Sequence, residues 1–171
     1  MDDELLDLVD KNDVVIGTIN RKDYKNLVEQ DLGYIRSSEL FIMNDEGKLW
    51  TPTRTTSKTI APNGYDYSAA GHVGAGNDYL ETIIRETKEE INLKVSEDDL
   101  IYVAKMRSDN ERYFRSIYLL HSNDEPVFNP ADFVTAEWLL PDEIIKEIDD
   151  GHLAKSTLRE TIIQLKAYLQ S

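Results

Sequence analysis

The chain has 171 residues, 33 acidic against 19 basic, for a formal net charge of −14. That length is enough for one domain with a buried core, and the acidic balance excludes a nucleic-acid coat or an anionic-membrane binder, since both reward Lys and Arg. Without cysteine there are no disulfides, thiolate nucleophiles or iron–sulfur sites.

Taken in chain order, Leu5 to Asp10 and Val14 to Ile19 alternate as two short strands around the polar turn Lys11-Asn12-Asp13. Arg21 to Gln30 predicts a short polar helix. Glu39 to Met43 predicts a strand, Asn44-Asp45-Glu46-Gly47 a turn, and Lys48 to Pro52 its hairpin partner. Arg54 to Tyr67, with Pro62-Asn63-Gly64, predicts an ordered loop. A small-residue stretch, Ser68 to Gly76, leads into the most periodic helix of the chain, Asp78 to Ile91. Strands are expected at Leu100 to Met106, Phe114 to His121 and Ala136 to Leu140. Pro141 opens a helix to about Asp149, and Ser156 to Leu169 reads as a final amphipathic helix. Hairpins mixed with helices predict an α+β chain around a mixed sheet, with 1–171 forming one domain. No apolar run reaches the roughly 18–20 residues of a membrane helix. The start, Met1-Asp2-Asp3-Glu4-Leu5-Leu6-Asp7, lacks the order of a signal peptide. A cytoplasmic protein without membrane or nucleic-acid partners is expected.

The helix from Asp78 carries the chemistry. At about 100° per residue, Leu80, Ile83, Ile84, Thr87 and Ile91 share an apolar arc, and Glu86, Glu89 and Glu90 share the arc beside it. Asp78 and Glu81 have capping-box spacing, and Asn92 suits a left-handed helix end. Like charges four residues apart cost roughly 0.2–0.5 kcal/mol in a solvated helix, and more beside a core. A hard divalent cation would resolve that conflict, since Mg²⁺ pairs carboxylates with substrate phosphates; a plain solvated acidic face is the alternative. Gly71, Gly74 and Gly76 allow a close backbone approach just before the helix.

Loop and helix together, Gly71, five residues, Asn77, seven residues, then Arg85-Glu86-Thr87-Lys88-Glu89-Glu90-Ile91-Asn92-Leu93, resemble the Nudix box over 71–93. The box carries Glu, a bulky aliphatic residue and Gly where this chain has Asn77, Thr87 and Asn92. Residues 1–35, through Val9, Asp10, Asp13, Gly17 and Arg21, resemble the N-terminal extension of the Nudix branch that includes isopentenyl-diphosphate isomerase and its bacterial hydrolase relatives. Arg54, Lys58, Pro62, Gly71-His72-Val73, Phe128-Asn129-Pro130 and Glu137-Trp138-Leu139 continue that likeness.

The resemblance implies a mixed sheet sandwiched between helices and a pyrophosphohydrolase. It would cleave a diphosphate linkage in a nucleoside di- or triphosphate, or another nucleoside diphosphate derivative, using Mg²⁺ or Mn²⁺. Glu86, Glu89 and Glu90 would be metal ligands, with the Gly71 carbonyl a further one, and Arg85 would orient a glutamate by a bidentate pair. Arg54 and Lys58, on the loop before the box, would hold phosphate oxygens or serve as solubilising charges. The general base is Glu86, Glu90, Glu111, Asp132 or Glu137; no spacing rule selects among them. The family's glutamate at position 77 supports the metal site, and Asn77 keeps its capping ability without the charge. His72 is expected to be a hydrogen-bonded strand histidine, and Trp50, Trp138 and Tyr79 core residues. Two other readings are a nucleotide-sensing module without efficient catalysis and the isomerase itself. The isomerase places a cysteine where this chain has Ala70. A monomer or homodimer acting on a small-molecule nucleotide is expected.

Overall fold

A computed structural model describes residues 3–171; Met1 and Asp2 of the acidic start lie outside them. In chain order the elements are β1 (Leu5–Val9), β2 (Val15–Asn20), α1 (Tyr24–Glu29), β3 (Ile35–Met43), β4 (Leu49–Arg54) and β5 (Ala69–His72). They continue as α2 (Tyr79–Ile91), β6 (Ile101–Ser108), β7 (Tyr113–His121), β8 (Phe133–Leu139), α3 (Pro141–Asp149) and α4 (Leu158–Leu169). β1 and β2 form a separate antiparallel ribbon. The main sheet runs β6-β7-β3-β4-β8, with β5 also on β3; β3 and β7 are parallel and the other pairs antiparallel. This is a mixed α+β sandwich. Among the described residues no helix is long and apolar enough to cross a membrane.

Side chains alternate across β3, so its two faces serve two cores. Leu40 and Ile42 meet Ile83 and Ile91 of α2, with Trp50 and Phe133. Phe41 and Met43 meet Tyr67 and the inward residues of α3 and α4, including Ile144, Leu158 and Ile162. Both faces being covered, β3 is buried at every position except Arg36. Trp50 is core as expected, whereas Trp138 and Tyr79 are only partly buried.

The strand begins at Ile35, four residues before its expected start. Ser37 and Ser38 masked it, because buried polar side chains break the apolar signature of a central strand. Both hydroxyls are satisfied: that of Ser38 donates to the Tyr79 carbonyl at 2.6 Å, and that of Ser37 to Glu39 at 2.8 Å.

The hairpin of β3 with β4 is paired only at Met43 and Leu49. Ser68 explains the split: its hydroxyl accepts from the Ile42 N–H at 3.0 Å and donates to the Trp50 carbonyl at 2.8 Å, a wedge between the two strands. Below the wedge, β5 takes over the edge of β3, with Ser38 opposite Gly71 and Glu39 opposite Ala70. The small-residue stretch expected as a lead-in is thus partly a strand, and its small side chains let α2 pack closely over it. Phe133 rather than Ala136 opens β8, and α4 starts at Leu158.

Helix α2 follows its sequence signals. Asp78 accepts from the Glu81 N–H at 2.8 Å, Glu81 returns a bond to the Asp78 N–H at 3.2 Å, and Asn92 ends the helix at φ +54°. At the ribbon, Asp13 accepts from Arg36 at 2.6 Å and from the Tyr79 hydroxyl at 2.9 Å, docking the β1–β2 turn against the start of α2. Asp78→Ala is expected to lower unfolding free energy by about 1 kcal/mol through the lost cap. Ile83→Ala, which opens the core beneath α2, should lower it by about 2–5 kcal/mol. Urea denaturation of the two variants checks the ranking.

Candidate active site

The acidic arc of α2 faces β5, and one missing side chain sets how closely. A Cβ on Gly71 would lie 2.3 Å from the carboxyl carbon of Glu86, so glycine is what admits that carboxyl against the strand. One turn on, Glu90 accepts from the Ala70 N–H at 2.8 Å. Its own backbone carbonyl accepts from the Asn129 N–H at 2.7 Å, tying the helix to the segment before β8. Glu86, Glu89 and Glu90 all line one cleft of about 570 Å³, with Gly71, Arg54 and Lys58 on it as well.

The three carboxylates are not equivalent. Glu89 is exposed, while Glu86 and Glu90 are half-buried. Burial pushes Glu86 up to about 7 from its ordinary 4.5, against the lowering effect of Arg85. Burial, with the negative charge of Asp66 nearby, pushes Glu90 up to about 8. Arg85 does not make the expected bidentate fork: its Nη1 alone lies 3.0 Å from Glu86 and 3.1 Å from Glu89. Among the described residues no three Asp, Glu or His side chains are gathered tightly enough to hold a metal ion. The donor set nonetheless fits a hard divalent cation. It consists of carboxylate oxygens, two of them held from water beside an open glycine, and positive charge is what their raised pKa values lack.

Arg54 is not a loop charge. It ends β4, is 9% exposed, pairs through Nη1 with the buried Asp66 and donates from Nε to the Ile60 carbonyl at 2.7 Å. Lys58 does lie on the loop, 2.6 Å from Asp132, and both reach the cleft. Glu137 is exposed on β8 and does not line the cleft; Glu111 lies 3.1 Å from Arg115 and faces a neighbouring cavity. Asn77 precedes the helix, with its N–H on the Gly74 carbonyl at 3.0 Å, and the cap is Asp78; Asn77 is exposed and off the cleft. Thr87 is buried, its hydroxyl on the Ile83 carbonyl. His72 lies in β5 with Nε2 2.7 Å from the Tyr113 hydroxyl, and burial lowers its pKa to about 3.

Lys155, between α3 and α4, was not foreseen. It lies 3.3 Å from Asp66, so this one buried aspartate holds both Arg54 and Lys155 at the cleft. No motif marks it. Glu39 was also missed, and there the only signal was a charged residue at an inward position of a central strand.

The carboxyl shifts carry a stability consequence. A carboxyl whose pKa is raised by folding binds protons more tightly in the native state, so stability is lost as pH rises from the unfolded value toward the folded one. For Glu86 and Glu90 that window runs from about 4.5 to about 7 and 8. Buried His72 acts oppositely, but only below its ordinary 6.5. With a chelator present, the melting temperature should therefore fall between pH 6.5 and 8, and Glu90→Gln should flatten the fall. Thermal melts across that range check it.

A NUDIX domain profile matches residues 34–160, so the β1–β2 ribbon lies before the matched region. A Nudix hydrolase of Deinococcus radiodurans is 35% identical over 162 residues, covering 94% of this chain and 92% of that protein. A crystal structure from the same organism superposes with a TM-score of 0.82 at 34% identity, covering 94% of this chain and 98% of that one. A prenyl-diphosphate phosphatase of Methanosarcina mazei is 26% identical over 136 residues, covering 76% of this chain and 78% of that protein. With box, sandwich and relatives in agreement, the chain belongs to the Nudix family and is a Nudix-type pyrophosphohydrolase.

Proposed function

We propose that the protein hydrolyses a diphosphate linkage in a nucleoside di- or triphosphate, or a related nucleoside diphosphate derivative, with Mg²⁺ or Mn²⁺. The observation that carries this is the pair of half-buried carboxyls, Glu86 and Glu90, held against β5 in one cleft with the cations Arg54, Lys58 and Lys155. A cation cluster alone would hold an anionic ligand without cleaving it. Desolvated carboxylates facing that cluster supply what hydrolysis needs in addition.

Glu86, Glu89 and Glu90 would hold the divalent ion, with the Gly71 carbonyl as a backbone ligand. The ion supplies charge neutralisation on the diphosphate and acidifies water. Arg85 positions Glu86 and Glu89 through its shared nitrogen. Glu86 or Glu90 takes the proton of the attacking water, since both sit inside the cleft where solvent competes least. Asp132 and Glu111 are engaged with Lys58 and Arg115 and serve to orient those cations instead. Arg54 and Lys58 bind phosphate oxygens, Arg54 from a fixed position because Asp66 and Ile60 hold it.

The N-terminal ribbon and the Gly71-His72 pair support a place in the isomerase-like branch of the family. Isomerase chemistry itself is disfavoured by the absence of any cysteine, with Ala70 at the position where the isomerases carry one.

Screening nucleoside di- and triphosphates, sugar nucleotides, dinucleoside polyphosphates and ADP-ribose with Mg²⁺ should yield release of phosphate or nucleoside monophosphate that EDTA abolishes. Glu90→Gln should lose on the order of 10²–10⁴-fold in kcat/KM with its fold intact, and Glu89→Gln should weaken the metal dependence. Full activity in both variants overturns the assignment; nucleotide binding without any hydrolysis favours a sensing module. Gly71→Ala should reduce activity while the circular dichroism spectrum is retained, because the added methyl meets the end of a flexible Glu86 side chain.

A further inference from the structure

A second cavity, of about 360 Å³, opens beside the catalytic cleft on the α3–α4 face of the sheet. It shares Arg21, Arg54, Gly71, His72 and Lys155 with that cleft, so one ligand can span both. Three tyrosines are among its lining, Tyr24, Tyr67 and Tyr113, with Tyr24 and Tyr113 ring centroids 5.5 Å apart. Volume and lining suit a flat heterocycle.

Glu39 of β3, 4% exposed, lines this cavity. One oxygen is satisfied, accepting from the Ser37 hydroxyl at 2.8 Å and lying 3.6 Å from the Arg115 Nε. The other, Oε2, is buried and has no hydrogen-bond partner among the described residues. An unpaired carboxyl oxygen in a low-dielectric site is costly, and one that persists calls for a partner. Arg115 does not cancel the local charge, since it also lies 3.1 Å from Glu111. Glu39 and Glu111 give the cavity carboxylate acceptors off the cleft, while the cations Arg21, Arg54 and Lys155 line the side it shares with the cleft.

We propose that this cavity is the nucleobase subsite, in which Glu39 accepts a hydrogen bond from the exocyclic amino group of a cytosine, adenine or guanine base while the diphosphate lies among the cations shared with the cleft. The polarity decides the class. A nucleotide with an amino-bearing base offers donors at one end and anionic oxygens at the other, which matches the gradient from Glu39 to Arg54. Carboxylates commonly accept from such amino groups. Uracil turns carbonyl oxygens toward the same carboxylate, with its single ring N–H between them. A prenyl chain has no donor at all and would seal Glu39 under hydrocarbon. The tyrosine rings pack against the base faces.

The subsite rests on the diphosphate chemistry proposed above, and two separate readouts keep them apart. In the first, kcat/KM is measured with Mg²⁺ for CDP, ADP, GDP, UDP and dimethylallyl diphosphate, using the wild-type protein and Glu39→Gln. At least one amino-bearing nucleotide should exceed UDP by about tenfold or more, and Glu39→Gln should erase that margin through KM rather than kcat. In the second, calorimetry follows binding of CMP, AMP, GMP and UMP in EDTA, where Glu39→Gln should weaken the preferred nucleotide about tenfold. Equal treatment of UDP and the amino-bearing nucleotides, preference for dimethylallyl diphosphate, or an unchanged KM and affinity in Glu39→Gln overturns the subsite. If no diphosphate is cleaved, the hydrolase assignment falls and the calorimetric ranking still decides the subsite. If the variant does not fold, the wild-type ranking of bases decides it.

Discussion

The site depends on two glutamate carboxyls kept from water against the edge of a sheet. Glu86 reaches its place because Gly71 has no side chain, and Glu90 because the Ala70 N–H is free to meet it. Both conditions are set by β5, whose own pairing with β3 depends on Ser68 parting β3 from β4. The wedge and the Glu86 and Glu90 carboxyls are therefore parts of one arrangement. Fill the glycine or close the fork, and the acidic face of α2 becomes ordinary surface.

Burial supplies the chemistry and creates its own opposition. A carboxylate in water has little reason to prefer a cation or a proton over solvent, and one held at a sheet edge does. The same desolvation makes the unliganded site electrostatically unfavourable, which Arg85 offsets only in part by sharing one nitrogen between Glu86 and Glu89. A helix with a reciprocal cap, a left-handed terminus and Ile83 and Ile91 in the core supplies the rigidity that keeps this arrangement in place.

An acidic chain handles an anionic substrate by concentrating its few cations. Asp66, buried, holds Arg54 and Lys155 toward the cleft, and Asp132 holds Lys58. The net charge of −14 is spread over the surface, where salt screens it within roughly 8–10 Å. Local sign, rather than the sum, decides what the cleft attracts. The further cavity adds carboxylates, Glu39 and Glu111, beside the cations it shares with the cleft.

Much of this was legible in the sequence. Helix α2, its cap and terminus, the acidic arc and the box around it follow from spacings of three and four residues, which one helix fixes without reference to the rest of the chain. The start of β3 was hidden, because Ser37 and Ser38 are polar and their burial depends on partners such as the Tyr79 carbonyl that no local pattern records. Arg54 read as a loop charge and is a buried strand end, since its partner Asp66 is brought to it by a turn rather than by spacing. Local periodicity determined which residues share a face. Only the tertiary structure decided which of those faces lose their water, because desolvation is a property of what packs opposite, and it is desolvation that separates Glu86 and Glu90 from the exposed Glu89 on the same arc.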